Sequence, residues 1–269
     1  MINPPKYYDV PRYREVFHQG KQNDYCVAIF VINEGEKLHK QLARMQQADL
    51  KNVDVIISDG GSTDGSTETK QLKALGVNTL LVKEATGKLG SQMRIAFSWA
   101  LEQGYKGVVV IDGNNKDSVE NIHDFVEKLE AGYDHIQGSR FIPGGQAINT
   151  PFSRLAGLKL IHVPMMRYAS GFKYTDTTNG FRAYSAKLLL SDDVALFRPE
   201  FTSYELHYYL AIEANRCGYQ CIEIPVTRVY PKGKVPTKIS PIRGNLKIIK
   251  TLYDVCSGSF SLKRGHDGN

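Results

Sequence analysis

Val108-Val109-Val110-Ile111-Asp112-Gly113-Asn114-Asn115-Lys116-Asp117 is the stretch from which the fold can be read. Four β-branched residues run without interruption into an Asp, a Gly and a polar cluster. A strand apolar on both faces belongs inside a parallel sheet covered by helices on either side. In open α/β sheets, ligands bind beyond the carboxyl ends of the strands. A carboxylate delivered there by a rigid strand is placed to hold a divalent cation against a diphosphate. The plainer reading is a strand followed by an Asp/Asn turn, and the neighbouring segments decide between the two.

Upstream, residues 25–32 form a first buried strand that ends at Asn33-Glu34-Gly35. Residues 36–48 follow with helical spacing, Leu38, Leu42 and Met45 sharing one face. Residues 53–58 make a second strand ending in Asp59-Gly60-Gly61-Ser62-Thr63-Asp64. A helix through Leu75, stopped by Gly76, leads to a third strand at 77–83 and a helix within 87–101. This β-α-β-α-β-α-β order implies a parallel sheet with right-handed crossovers and helices on both faces. The strand ends at Glu34, Asp59 and Asp112 then converge on one crevice. Asp59 can accept from the ring N–H of a uracil or guanine, and Gly60 and Gly61 let backbone approach a nucleotide. Ser62 and Asp64 read as caps of the following helix. The first turn has no GxGxxG and the chain no GxxxxGK[ST], which excludes a dinucleotide fingerprint and a P-loop.

Composition bounds the function. The 269 residues are 42% hydrophobic and 23% charged, ordinary for one large α/β domain or two small ones. A net charge of +6 and a pI of about 9.0 fit an anionic partner: a nucleotide, a phosphorylated lipid or an acidic membrane surface. No nucleic-acid motif appears, which sets nucleic acid aside. Cys26, Cys217, Cys221 and Cys256 lack CxxC or zinc spacing and read as thiols of a reducing compartment. Residues 1–24 do not have the form of a signal peptide, and no apolar run is long enough to span a bilayer. The expectation is a cytoplasmic chain, soluble or peripheral on the inner face of a membrane.

The remaining elements surround this half-sheet. Residues 1–24 read as an irregular arm with a short helix around 12–18. A helix at 118–129 follows the central strand, with Asp117 either capping it or supplying a carboxylate to the crevice. Residues 133–138 are a fifth strand running into Ser139-Arg140, and 141–146 form a lid-like loop. An apolar helix spans 153–170, bent at Pro164; His162 and Arg167 on it read as surface or packing residues. The cluster Tyr174-Thr175-Asp176-Thr177-Thr178-Asn179-Gly180-Phe181-Arg182 offers donors for sugar hydroxyls and a cation for phosphate, with Asp176–Arg182 pairing as the structural alternative. A helix from Tyr204 to about Cys217 carries Glu205, and 222–230 alternates as a strand. Residues 231–238 form a basic loop suited to closing over a diphosphate. Residues 241–256 make a basic amphipathic helix, which either packs on the core or lies on an anionic membrane.

The segments NEGEKL, SDGGSTDGS, VVVIDGNNKD, GSRF, TNGFRAYS and EIPVTRVYP, in this order, resemble family-2 glycosyltransferases, closest to the dolichyl- and polyprenyl-phosphate sugar transferases. The resemblance covers about residues 25–240, between the arm (1–24) and a C-terminal helix and tail (241–269). It implies an α/β GT-A fold, with a Rossmann-like nucleotide-sugar half and an acceptor half. It also implies inverting transfer from a UDP- or GDP-sugar and a divalent Mg²⁺ or Mn²⁺. Asp59 matches the acid that holds the base, Glu34 the acid after the first strand, and Asp112 the first acid of the metal-binding DxD. Arg140 matches an Arg near the diphosphate or acceptor phosphate. Asn33, Gly61, Lys88, Arg94, Gly113 and Lys238 complete the donor set, and Asp176, Arg182 and Glu205 join Asp112 and Arg140 as catalytic candidates. Two positions depart from the pattern: Asn114 replaces the second DxD acid, and Gly60 the second acid after strand two. Asn114 can still ligate a cation through its carbonyl, without charge.

The expected reaction is displacement at the sugar, with Asp112, Asn114 and the cation on the leaving diphosphate and Arg140, Arg182 and Lys238 gathering phosphate. The expected acceptor is a polyprenyl phosphate. A saccharide hydroxyl acceptor would instead need Glu205 or Asp176 as base. A nucleotidyltransferase would carry a basic Gly-rich loop where Asn33-Glu34-Gly35 stands. A nucleotide-sugar binder without catalysis is the third alternative.

Overall fold

The computed structural model describes residues 4–48, 50, 53–231 and 243–262. In chain order the elements are β1 (Tyr13–His18), β2 (Tyr25–Val31), α1 (Glu36–Gln47), β3 (Val53–Asp59), α2 (Thr69–Ala74), β4 (Thr79–Lys83), α3 (Leu89–Glu102) and β5 (Gly107–Asp112). There follow α4 (Ile122–Glu130), β6 (His135–Ser139), β7 (Gln146–Ile148), α5 (Phe152–Gly157), α6 (Val163–Ser170), β8 (Arg182–Ser185), α7 (Ala186–Leu189), α8 (Glu205–Arg216), β9 (Cys221–Pro225), β10 (Thr227–Val229) and α9 (Arg243–Cys256).

The main sheet has eight strands in the order β1-β4-β3-β2-β5-β8-β6-β9. Strands β4, β3, β2 and β5 are parallel, as the alternating pattern requires. β8 is antiparallel to both β5 and β6, so the sheet changes character just beyond Asp112. The central strand is buried on both sides because its residues alternate between two cores. Val108 and Val110 join the layer of α3, α6, α8 and α9, whereas Val109 and Ile111 join that of α1 and α4. Each such side chain contributes about 1.5–3 kcal/mol by leaving water. α3 is buried from Gly90 to Leu101, and its polar residues are hydrogen-bonded inside: Gln92 donates to the Val31 and Ser58 carbonyls and Arg94 to the Phe201 carbonyl.

Three local expectations change. The 12–18 segment is an edge strand, β1, antiparallel to β4, and not a helix. The 222–230 strand breaks into β9 on the main sheet and β10, which pairs with β7 in a separate two-stranded sheet. The 153–170 helix carries a π-helical segment, Leu158–His162, immediately before Pro164. A π segment frees the backbone register that a proline ring would otherwise obstruct.

Candidate active site

Strand register sets the geometry of the crevice. Asp59 lies beside Val31 and Asp112 beside Phe30, so the two acids flank the end of β2 on one sheet edge. At about 4.8 Å per strand they stand about 10 Å apart. Asn33 (φ 49°) and Asn115 (φ 56°) turn the chain at this rim in the left-handed region that asparagine tolerates. The loops are stitched together. Ser62 Oγ accepts from the Asn33 N–H at 2.9 Å, Thr63 N–H donates to Asn33 Oδ1 at 2.8 Å, and Gly35 N–H donates to Asp64 Oδ2 at 2.9 Å. Ser62 and Asp64 therefore build the turn between loops; the helix cap is Glu68, which accepts from Gln71.

Asp59 is buried and accepts from the Gly61 and Ser62 N–H groups and from the hydroxyls of Ser62 (2.6 Å) and Thr67 (3.3 Å). Its carboxylate shapes the glycine turn that a nucleotide would meet. Gly60 is tightly enclosed: a Cβ there would stand 3.3 Å from both the Val31 carbonyl and Gln92 Nε2. Glu34 at the rim is within 3.7 Å of Lys37. Lys88, exposed, heads α3 and donates its backbone N–H to the Thr202 carbonyl at 2.7 Å. Arg94 is committed elsewhere: it donates to Asp9 Oδ1 (2.6 Å) and the Phe201 carbonyl (3.1 Å), tying the N-terminal arm to the 201–205 loop. Lys238 lies outside the described residues.

Asp112 is one-third exposed at the mouth, with its Oδ2 accepting from Asn114 Nδ2 and from Arg228 Nη2, each at 3.2 Å. Gly113 sits tight on β2, where a Cβ would meet Val31 Cγ2 at 3.0 Å. Asn114 Oδ1 is buried with no hydrogen-bond partner among the described residues. That orphaned carbonyl and the partly exposed Asp112 carboxylate fit a hard cation, which commonly takes one or two protein oxygens plus substrate phosphates. Among the described residues no three His, Cys, Asp or Glu side chains cluster as a self-sufficient metal cage. Asp117 neither caps a helix nor opens to the crevice. It is 1% exposed and paired with Arg228 Nη1 at 2.5 Å, and burial pushes its carboxyl upward against that pairing.

Beside Asp112 lies a cavity of about 80 Å³ lined by Thr177, Asn179, Gly180, Tyr204, His207 and Tyr208. Thr177 Oγ1 and Asn179 Nδ2 are buried without partners among the described residues. Arg182 is buried and gives its three nitrogens to the carbonyls of Asn179, Thr177 and His207 at 3.0, 3.1 and 2.5 Å. It is thus a buried cation without a carboxylate among the described residues. Burial, then Arg182 and His135, hold the His207 imidazole well below its ordinary value. Arg182 does not pair with Asp176. That carboxylate is fully buried and takes Arg140 Nε (2.6 Å) and Nη2 (2.9 Å) in a fork. Glu205 accepts from the Thr202 and Ser203 N–H groups at the start of α8. Neither acid is open to act as a base.

Sequence alone did not single out Arg154, Arg228 or Tyr230, which the fold brings together. Lys116 Nζ stands 5.2 Å, Arg154 5.4 Å and Arg228 5.7 Å from the Tyr230 ring. Burial works to raise the Tyr230 hydroxyl, but Arg228, Arg140 and Arg154 outweigh it and lower the pKa. A basic residue followed two positions later by an aromatic, at the end of an alternating strand, was the available signal.

A model of glycosyl transferase family 2 matches residues 26–194. The chain belongs to glycosyl transferase family 2. This family-2 transferase is 31% identical over 202 residues to the undecaprenyl-phosphate mannosyltransferase of Micrococcus luteus, covering 73% of this chain and 80% of that one. It is 29% identical over 204 residues to the polyprenol monophosphomannose synthase of Mycolicibacterium smegmatis, covering 75% and 76%. A dolichyl-phosphate hexose transferase of Haloferax volcanii is 25% identical over 87% of the chain and 94% of the relative. Among solved structures, glucosyl-3-phosphoglycerate synthase of Mycobacterium tuberculosis with UDP superposes with a TM-score of 0.62 at 17% identity, covering 93% of this chain and 88% of that one. The same enzyme with Mn²⁺, UDP and glucosyl-3-phosphoglycerate gives 0.60 at 14% identity. These likenesses establish the expected GT-A arrangement, and the family makes the chain a glycosyltransferase. No helix among the described residues is long and apolar enough to cross a membrane.

Proposed function

We propose that this transferase moves a hexose from a nucleotide-diphospho-hexose to a polyprenyl phosphate, with inversion at the anomeric carbon. The observation that carries the choice of acceptor is a cluster of cations at the mouth of the crevice, beside carboxylates that are already occupied. Lys116, Arg154 and Arg228 gather at Tyr230 near Asp112, while Asp176 and Glu205 are held by Arg140 and by backbone N–H groups. A phosphate acceptor is already ionised at neutral pH and needs no base; a saccharide hydroxyl needs one. The names of the relatives in Micrococcus luteus and Mycolicibacterium smegmatis support the same acceptor class.

In this reading the loops at Asn33, Glu34 and Asp59–Gly61 receive the nucleotide, with Lys88 at the rim. Thr177, Asn179 and His207 face the hexose, and Arg140, anchored by Asp176, and Arg182 hold positive charge beneath the phosphates. A divalent cation held by Asp112 and the Asn114 carbonyl would neutralise the departing diphosphate. Phe152 (83% exposed), Leu160 (77%) and Tyr168 (92%) are exposed apolar side chains on the α5–α6 segment, which also carries exposed Lys159, and α9 adds exposed Leu246, Ile249 and Tyr253 with Lys250. These suit a peripheral contact at a lipid surface, where the acceptor resides. α9 also packs inward through Leu252 and Val255, which leaves its exposed face for the proposed lipid contact.

Incubation with UDP- and GDP-hexoses and a short polyprenyl phosphate, polyprenol or oligosaccharide, read by mass spectrometry, tests this. A hexosyl phosphate product from the phosphorylated lipid alone is expected. Product on polyprenol or oligosaccharide but not on the phosphate would overturn it.

A further inference from the structure

Arg228 links two acids that have different freedom. Its Nη1 meets Asp117 Oδ2 at 2.5 Å, and that carboxylate is buried. Its Nη2 meets Asp112 Oδ2 at 3.2 Å, and Asp112 is the partly exposed end of the bridge. The guanidinium is therefore anchored at Asp117 and can release Asp112 without leaving its place. Backbone contacts reinforce the anchor: Asp117 and Arg228 form a β-bridge, and Val229 N–H donates to the Lys116 carbonyl at 2.8 Å. Asp112 is also the carboxylate to which a divalent cation would bind, with the unpartnered Asn114 Oδ1 beside it.

We propose that Arg228 is a tethered cation at Asp112 that competes with the divalent metal, so that the metal enters with the nucleotide diphosphate and not before it. Arg228 takes Asp112 Oδ2, and a metal on either oxygen of the same carboxylate stands close enough to the guanidinium for the two cations to repel, while Asn114 adds no negative charge to compensate. A diphosphate supplies that charge. When it arrives, Asp112 can turn to the metal while Arg228 stays on Asp117 and faces the phosphates. Asn114 in place of an acid and Arg228 at Asp112 thus belong to one arrangement: a site with low intrinsic metal affinity that nucleotide completes.

This inference rests on Asp112 as the cation-binding acid and not on the identity of sugar or acceptor. Mn²⁺ titration of the full chain, followed by electron paramagnetic resonance of the free ion, tests it with and without UDP or GDP. The wild type should bind Mn²⁺ at least about tenfold tighter with nucleotide than without, the expected reach of a coupling between two ligands. The double variant Asp117→Asn/Arg228→Gln removes both members of the buried pair and leaves no isolated charge. It should take up Mn²⁺ without nucleotide at least about tenfold tighter than wild type, as removal of a like charge predicts. Arg228→Lys, whose ammonium cannot span both acids, should also bind Mn²⁺ more tightly than wild type and serves if the double variant is unstable. Equal or weaker Mn²⁺ affinity in these variants would overturn the proposal, as would Mn²⁺ binding that survives a further Asp112→Asn change. Absence of glycosyl transfer would leave these titrations, and therefore this inference, standing on their own.

Discussion

Asp176→Asn separates an anchoring acid from a catalytic base. Asp176 is fully buried and accepts from Arg140 Nε at 2.6 Å, Arg140 Nη2 at 2.9 Å, and the backbone N–H groups of Arg140 and Thr178 at 3.2 Å each. The Asn variant keeps the volume and one acceptor oxygen but removes the charge, leaving the Arg140 guanidinium buried and uncompensated. Breaking a buried pair costs about 3–5 kcal/mol, and the retained oxygen places the change near the lower end, about 3 kcal/mol. For a chain of this size that lowers the melting temperature by about 6–12 °C. Calorimetry or circular dichroism measures the shift, and transfer assays on the folded variant measure activity below its transition. Activity should fall because Arg140 is no longer fixed, with the pH dependence of the residual rate unchanged. The double change Asp176→Asn/Arg140→Gln should recover part of the stability and none of the activity. A melting temperature within about 2 °C of wild type, a change under about 1 kcal/mol, together with lost activity would refute this and make Asp176 the base of a hydroxyl-acceptor enzyme.

Other consequences follow from single contacts. Gly90→Ala would place a Cβ 2.8 Å from the Ser203 N and O atoms and 2.9 Å from the Phe201 carbonyl, all backbone; a loss of about 1–3 kcal/mol in urea unfolding is expected. His135, buried on Tyr174, has its pKa lowered to about 3, and His162 to about 4, in both cases chiefly by burial. The unfolded chain, with histidines near 6.5, binds these protons first, so stability is full above about pH 6.5 and falls as pH drops toward those folded values. Each His contributes a slope of up to about 1.4 kcal/mol per pH unit in that window; urea midpoints from pH 4 to 7.5 measure it, and His135→Gln should flatten the profile. Asn114→Asp adds a carboxylate where an uncharged carbonyl now stands and should tighten Mn²⁺ binding in the presence of UDP by about tenfold, about 1.4 kcal/mol, as read by calorimetry.

The parallel half of the sheet was legible because its strands are predominantly apolar runs, and β2, β3 and β5 run into Asn33, Asp59 and Asp112. That pattern places Asp59 and Asp112 on one edge without any knowledge of side-chain contacts. β1 was not legible. Tyr13-Arg14-Glu15-Val16-Phe17-His18 mixes charge with apolar residues at an exposed sheet edge, and only Phe17 is buried. The partners of the site's charges were equally hidden, because they come from distant parts of the chain. Arg140 and Asp176 are 36 residues apart, and Asp117 and Arg228 are 111 apart. Asp176, Glu205 and Arg94 have the residue types of catalytic or donor-binding groups; tertiary contacts commit Asp176 and Arg94 to anchoring, and Glu205 is held locally by the Thr202 and Ser203 N–H groups. The break at Pro225-Val226 diverts the last strand to β7, and that diversion carries Arg228 to Asp112.

Hydrogen–deuterium exchange with and without nucleotide-diphospho-hexose tests most directly whether the strand-end loops form the donor site. Slower exchange is expected in residues 32–36, 59–66, 112–116 and 177–182 together, at one saturating concentration. Protection confined to the opposite sheet edge, around the hollow lined by Asn23, Asp54 and Asn78, with these loops unchanged, would contradict it.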